Sequence, residues 1–245
     1  MILGCMNLQR LDKIIASQFN ISRTDAKTQI RRGQVSVGGE VVRDPAFSVC
    51  PEKDLITLGG QALEFKQYIY IVMNKPKGVL SASNDKKRQT VVDLVPPKLK
   101  RPNICPVGRL DRDTTGLLIL TDDGQFAHKV ISPKSDIKKV YEVTLDGEIP
   151  TYAIDKFADG LILHDGTKCL PAGLEIINDN TAKVEIREGK YHQIKRMFGV
   201  IDLGVDELKR LSIGDFTLPP ELKEGECREM TQEQIQMILP HYIKD

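Results

Sequence analysis

Turns and charged residues cut this chain into short apolar pieces, and that restricts what it can fold into. The run Leu117–Leu120 lies between Gly116 and the turn Asp122-Asp123-Gly124. A membrane-spanning helix needs about 20 apolar residues, so no span is expected, and a core must come from many short elements. Residues 68–80, YIYIVMNKPKGVL, read as strand, Lys-Pro turn and strand, because Pro76 and Gly78 break a helix. Residues 141–145 and 182–186 alternate like strands. Residues 84–102 are polar, basic and rich in proline, a loop with a short helix. A helix is expected near 125–131, ended by Ser132-Pro133. Thr231 and Gln234 resemble a capping box opening a last helix that Pro240 ends. Strands and helices alternate without a regular βαβ repeat. The expected class is therefore α+β, with a mainly antiparallel mixed sheet.

The first part of the chain has a different pattern. Leu8, Leu11, Ile14, Ile15 and Phe19 fall at helical spacing. Ser22 reads as the N-cap of a second helix, with Asp25 in its first turn, Ala26 and Ile30 toward a core, and Gly33 as its stop. Val35 and Val37, the turn Gly38-Gly39, and Val41-Val42 then form a hairpin. At Leu58-Gly59-Gly60 the composition shifts, and a linker to about Gln67 is expected. With 245 residues the chain exceeds the usual single domain, so the division expected is 1–66 and 67–245.

Lys and Arg number 35 against 34 Asp and Glu, a net +1 that by itself indicates no polyanion partner. The charge is segregated, however. Residues 10–32 carry six basic and two acidic side chains, and residues 74–113 carry ten and four. Such clusters create local positive fields, although each alone could be a solvated face. The five cysteines are widely spaced with no Cys-x-x-Cys. That argues against a disulfide framework or a cysteine zinc site, and fits a reducing cytoplasm. Met1–Met6 show no basic and then apolar export signal.

The densest stretch is GRLDRDTTGLLILTDDG, 108–124. If extended, it would put Arg109, Asp111 and Asp113 on one side. Asp111, Asp113, Thr115, Gly116 and Asp122 partly match a calcium loop, but position 12 is not Glu and an apolar strand occupies the loop's middle, so that reading is rejected. Two carboxylates suited to glycosidic chemistry, or turn aspartates that satisfy backbone N–H groups, both remain open on the residues alone.

Two resemblances change the weighting. RLDKIIASQFNISRTDAKTQIRRGQVSVGGEVV, 10–42, resembles the S4 RNA-binding domain. The resemblance implies phosphate contacts by Arg10, Arg23, Lys27, Arg31 and Arg32, which would position an RNA without reading its sequence. GRLDRDTTGLLILTDDG closely resembles the active-site motif of the pseudouridine synthases, in the S4-bearing ribosomal branch. MNKPKG at 73–78, KKVYEVTL at 138–145 and EGKYHQIKRMF at 188–198 match further motifs in the same order. By that resemblance Asp111 is the catalytic carboxylate and Tyr141 the ring that stacks on the target base. Lys195 is the basic partner of Asp111, with Arg196 as the alternative one residue on. Ile194 is the apolar wall, and Arg109 holds the flipped nucleotide. His192 matches a polar position outside the catalytic set, and Asp113 is a neighbour.

The implied reaction detaches uracil from C1′, turns it and rejoins it through C5. The product is an isomer, so no cofactor, metal or energy source is implied. The carboxylate would either attack C1′ or take a sugar proton, and both routes stay open. The implied substrate is one uridine in a 16S rRNA hairpin, position 516 in the standard numbering of that RNA. It would be met as 16S rRNA or in an assembling small ribosomal subunit by a monomer in the cytoplasm. A 23S rRNA target and a non-catalytic RNA-binding protein are the alternatives.

Overall fold

The computed structural model describes residues 8–242; the readings of Met1–Met6 and of Cys5 lie outside them. The described chain divides into two compact units. The smaller runs to Ile69 and takes in Lys100–Pro102; the larger comprises Tyr70–Leu99 and the chain from Asn103 onward.

In the smaller unit two helices, Leu11–Gln18 and Arg23–Arg31, pack through Leu11, Ile14, Ile15, Ala26 and Ile30 against Val35, Val49 and Ile56. Ser22 caps the second helix, its side chain accepting from Asp25 N at 3.0 Å. Gly33, at φ +74°, ends it. Val35–Val37 pairs with Glu40–Val41 across Gly38-Gly39. The linker expected from Leu58 is not found there. Ile56–Leu58 and Gln61–Ala62 form a second hairpin around Gly59-Gly60, and its first strand extends the same sheet. The composition shift marked a turn inside the unit. Arg101 belongs with this unit, donating to Lys66 O and to Gln18 Oε1, both at 2.8 Å. Cys50 is disulfide-bonded, which spacing did not reveal, while Cys105, Cys169 and Cys227 are free.

The larger unit is built on one mixed sheet. From one edge the strands are Gly173–Asn178, Thr181–Ile186, Lys139–Leu145, Val205–Ile213, Thr115–Thr121, Tyr70–Lys75 and Cys227–Glu229. Every neighbouring pair on that path is antiparallel except Thr115–Thr121 beside Val205–Ile213. The fold class is thus α+β, as expected. Thr115–Thr121 is central and buried on both faces, which explains its unbroken apolar run. Lys139–Leu145 alternates between buried and half-buried positions, which explains its period of two.

Leu117 and Ile119 pack with Phe126, Val130, Ile235 and Ile238 from the helices Gly124–Ile131 and Gln232–Ile238. Asp123 caps the first of these helices at 3.0 and 3.2 Å, and Thr231 with Gln234 makes the capping box of the second. The second strand expected after the Lys-Pro turn is reduced to an isolated bridge, Leu80 to Thr90. Among the described residues no helix is long and apolar enough to cross a membrane.

Candidate active site

Segment 108–124 folds as a turn that feeds the central strand. Thr114 N donates to Asp111 O at 3.1 Å, closing the turn over Arg112 and Asp113. The turn separates the two aspartates that an extended chain would place on one side. The Asp111 side chain is 30% exposed and lines a small cavity with Arg109, Thr114, Tyr141 and Ile194. Asp113 is 59% exposed and faces another cleft, with Lys77 and Glu224.

A buried cation stitches this turn to the neighbouring strand. Lys75 is fully buried. Its Nζ donates to Pro76 O at 3.0 Å, Thr114 O at 2.9 Å and Arg112 O at 3.4 Å. Burial pushes its pKa down to about 8, against the opposing pull of Asp113 and Asp111.

Tyr141 sits on the buried face of Lys139–Leu145, opposite Val184 on one side and Arg210 on the other. Arg210 is also buried. Its Nε donates to Leu117 O at 2.7 Å, and its Nη1 lies 3.5 Å from the Tyr141 hydroxyl. The two strands meet tightly here: Gly116 has φ +99°, and a Cβ on it would collide with the Arg210 backbone. Lys139, on the strand that carries Tyr141, is buried, and burial followed by repulsion from Arg210 lowers its pKa to about 8.

The other wall is the loop 187–192 and the helix Gln193–Gly199. The Glu188 carboxylate accepts from Leu170 N at 2.9 Å and Gln193 Nε2 at 2.8 Å, and pairs with Lys190. Gln193 Oε1 in turn accepts from Lys190 N at 2.9 Å. His192 adopts left-handed backbone, φ +48°, and places Nε2 3.5 Å from Asp111 Oδ1. Ile194, 3% exposed, is the apolar wall.

Asp111, Tyr141, Ile194 and Arg109 are therefore brought around one cavity. Lys195 and Arg196 are engaged elsewhere. Lys195 Nζ meets Asp113 Oδ2 at 2.6 Å, and Arg196 Nη2 meets Asp165 Oδ2 at 2.5 Å. Neither has Asp111 as its ion-pair partner. The helix directs Lys195 to the exposed side of the turn, and the Lys195 hydrogen bond holds the Asp113 carboxyl below its ordinary range against some burial.

In the smaller unit Arg10 and Arg23 differ from expectation in the same way. Both pair with the fully buried Asp12, at 3.1 and 3.0 Å. Burial alone would raise the Asp12 pKa, but hydrogen bonds and charge from Arg10 and Arg23 outweigh it and hold it low. Arg31 and Arg32 are exposed and Lys27 half-buried.

Sequence reasoning passed over His192, Lys75 and Arg210. His192 stood in a matched motif as a polar neighbour, and Lys75 stood in MNKPKG without a role. Arg210 carried no local signal, since its place depends on pairing across Gly116. Among the described residues no cluster of three or more His, Cys, Asp or Glu could hold a metal ion.

Comparison with known proteins adds an independent line. Residues 69–199 match the family model for RNA pseudouridylate synthase, and residues 9–56 match the S4 domain. An uncharacterized RNA pseudouridine synthase of Bacillus subtilis is 40% identical over 94% of this chain and 98% of its own length. Ribosomal small subunit pseudouridine synthase A of Escherichia coli is 40% identical over 94% of this chain and 100% of its own. A crystal structure described as a pseudouridylate synthase superposes with a TM-score of 0.66 at 35% identity, covering 94% of this chain and 99% of the other.

Proposed function

Because this chain belongs to the RNA pseudouridylate synthase family and is an rRNA pseudouridine synthase, an isomerase, we propose that it converts a single uridine of 16S rRNA, the one expected above, with Asp111 as the catalytic carboxylate. The observation that carries the assignment is the placement of Asp111. It is half-buried, at the cavity that Tyr141 and Ile194 line, with no Lys or Arg as an ion-pair partner among the described residues. A carboxylate so placed can reach a sugar C1′ or a sugar proton without first giving up a cation.

The other groups follow from their surroundings. The target base must leave its stack, at a cost of a few kcal/mol. Tyr141, held between neighbouring strands and backed by Arg210, offers a fixed ring to offset it. Ile194 keeps water from the detached uracil, which must turn without escaping. Arg109 is exposed at the mouth, where a phosphate would pass. Lys195 acts on the turn: by holding Asp113 it fixes the loop from which Asp111 projects. Nothing in the isomerisation calls for a cofactor. Lys27, Arg31 and Arg32 remain available for phosphate in the S4 domain. The preferred reading is a monomer acting in the cytoplasm on 16S rRNA within an assembling small subunit, since one positive surface alone would select poorly among RNAs.

The test is direct. Purified protein is incubated with 16S rRNA, with a partly assembled small-subunit particle and with 23S rRNA, and pseudouridines are mapped by chemical stops. One modified 16S uridine, formed faster in the particle, is the expected result. Modification of 23S rRNA alone would overturn the target and leave the enzyme class standing.

A further inference from the structure

We propose that Tyr191 is a stacking platform for the nucleobase that adjoins the flipped uridine; this rests on the RNA-modifying reading above. Its side chain is 72% exposed, the most exposed of the large apolar and aromatic residues described. A single exposed tyrosine needs no explanation by itself. This one is distinguished by how it is held and where.

The ring lies flat on His192, with centroids 3.8 Å apart and planes 18° from parallel. That separation is close to the roughly 3.4 Å between stacked bases. His192 in turn reaches Asp111 at 3.5 Å. A ladder therefore runs outward from the catalytic carboxylate, through the imidazole, to a ring whose far face is open. The backbone beneath it is fixed. Arg196 Nη1 donates to Tyr191 O at 3.3 Å, and the Gln193 side chain braces the loop by accepting from Lys190 N and donating to Glu188. An exposed ring fixed in this way loses little side-chain freedom when a ligand stacks on it.

Tyr191 lines an open cleft. The cleft has a volume of about 820 Å³ and is also lined by Arg109, Asp111, Arg112 and Ser81. Arg109 and Arg112 are exposed and appear in no ion pair among the described residues. A rigid aromatic ring beside free guanidinium groups is the pairing that single-stranded nucleic acid requires: a π-face for the base and cations for the backbone. Flipping a uridine leaves its neighbour with one unstacked face, and Tyr191 is placed one ring beyond His192 to cover it. Stacking needs the ring and not the hydroxyl.

The experiment uses the full chain and the 16S uridine that the wild-type protein modifies, with 2-aminopurine placed on its 5′ or 3′ side. Stacking quenches this fluorophore. Binding of the wild type should quench it at one of the two positions. Tyr191→Phe should behave as wild type. Tyr191→Ala should lose the quench and raise KM about tenfold, the scale of one base–aromatic stack, with kcat within about twofold. An unchanged quench and KM in Tyr191→Ala would overturn the inference, as would a Tyr191→Phe variant as weak as the alanine one. Wild-type protein that makes no pseudouridine would instead overturn the reading on which the inference rests.

Discussion

Asp12 and Asp111 show two ways of keeping a carboxylate in a folded chain. Asp12 is fully buried and takes two guanidinium groups, Arg10 and Arg23. Asp111 is half-buried beside an aromatic and an aliphatic wall, while three nearby cations are held by other partners. Lys75 is given to backbone carbonyls, Lys195 to Asp113 and Arg196 to Asp165. The first arrangement satisfies a charge and anchors a helix. The second leaves a charge accessible. Local composition does not separate them, since both aspartates sit among arginines, and the difference lies in which direction each cation is made to point.

The largest effect should come from removing the accessible charge. Asp111→Asn keeps the volume and should reduce pseudouridine formation by about 10³-fold or more, while RNA affinity measured by filter binding stays near wild type. Asp113→Asn, two residues away, should lower activity no more than about tenfold. Comparable losses in both would erase the distinction between them.

Removing the satisfied charge should have the opposite profile. Asp12→Asn should cost about 1–3 kcal/mol of stability, read from denaturant unfolding, with little change in turnover at permissive temperature. The folded pKa of Asp12 is held below its ordinary value near 3.8. Its stabilising contribution is therefore complete above that value and lost as pH falls through the folded one. The Asn variant should show less acid sensitivity than wild type in that window.

Much of this architecture could be read in advance, because it depends on neighbours in sequence. Ser22, Gly33 and Thr231 act on backbone groups a few residues away, so their caps and stops are visible in the residues themselves. The apolar run at Leu117 announces a strand buried on both faces. What could not be read depends on distant pairing. Gly116 and Arg210 meet only because two parallel strands adjoin, and Lys195 finds Asp113 rather than Asp111 only because the intervening turn rotates them apart. The hairpin at Gly59-Gly60 reads as a linker in sequence because the strand it joins lies about 20 positions back, at Val35–Val37.

The Lys195–Asp113 pair gives an intermediate test. If it acts by bracing the turn, Lys195→Ala and Asp113→Asn should each lower turnover no more than about tenfold, and the double variant should be no worse than the poorer single one. A crippling Lys195→Ala beside a silent Asp113→Asn would mean that Lys195 serves Asp111 directly. The smallest effect concerns RNA affinity. Replacing Lys27, Arg31 or Arg32 by alanine should each flatten the dependence of log affinity on log salt by about 0.7–0.9. Replacing Arg10 or Arg23 should change it less, because both are already held by the Asp12 carboxylate.

The accessible carboxylate at Asp111 is proposed to carry the reaction of this chain on one rRNA uridine. Pseudouridine mapping of total rRNA from cells lacking the protein, and from the same cells given wild type or Asp111→Asn, tests it most directly. One 16S pseudouridine should vanish without the protein, return with wild type and stay absent with the Asn variant. An unchanged rRNA pattern in the lacking cells, or full restoration by Asp111→Asn, would contradict the account.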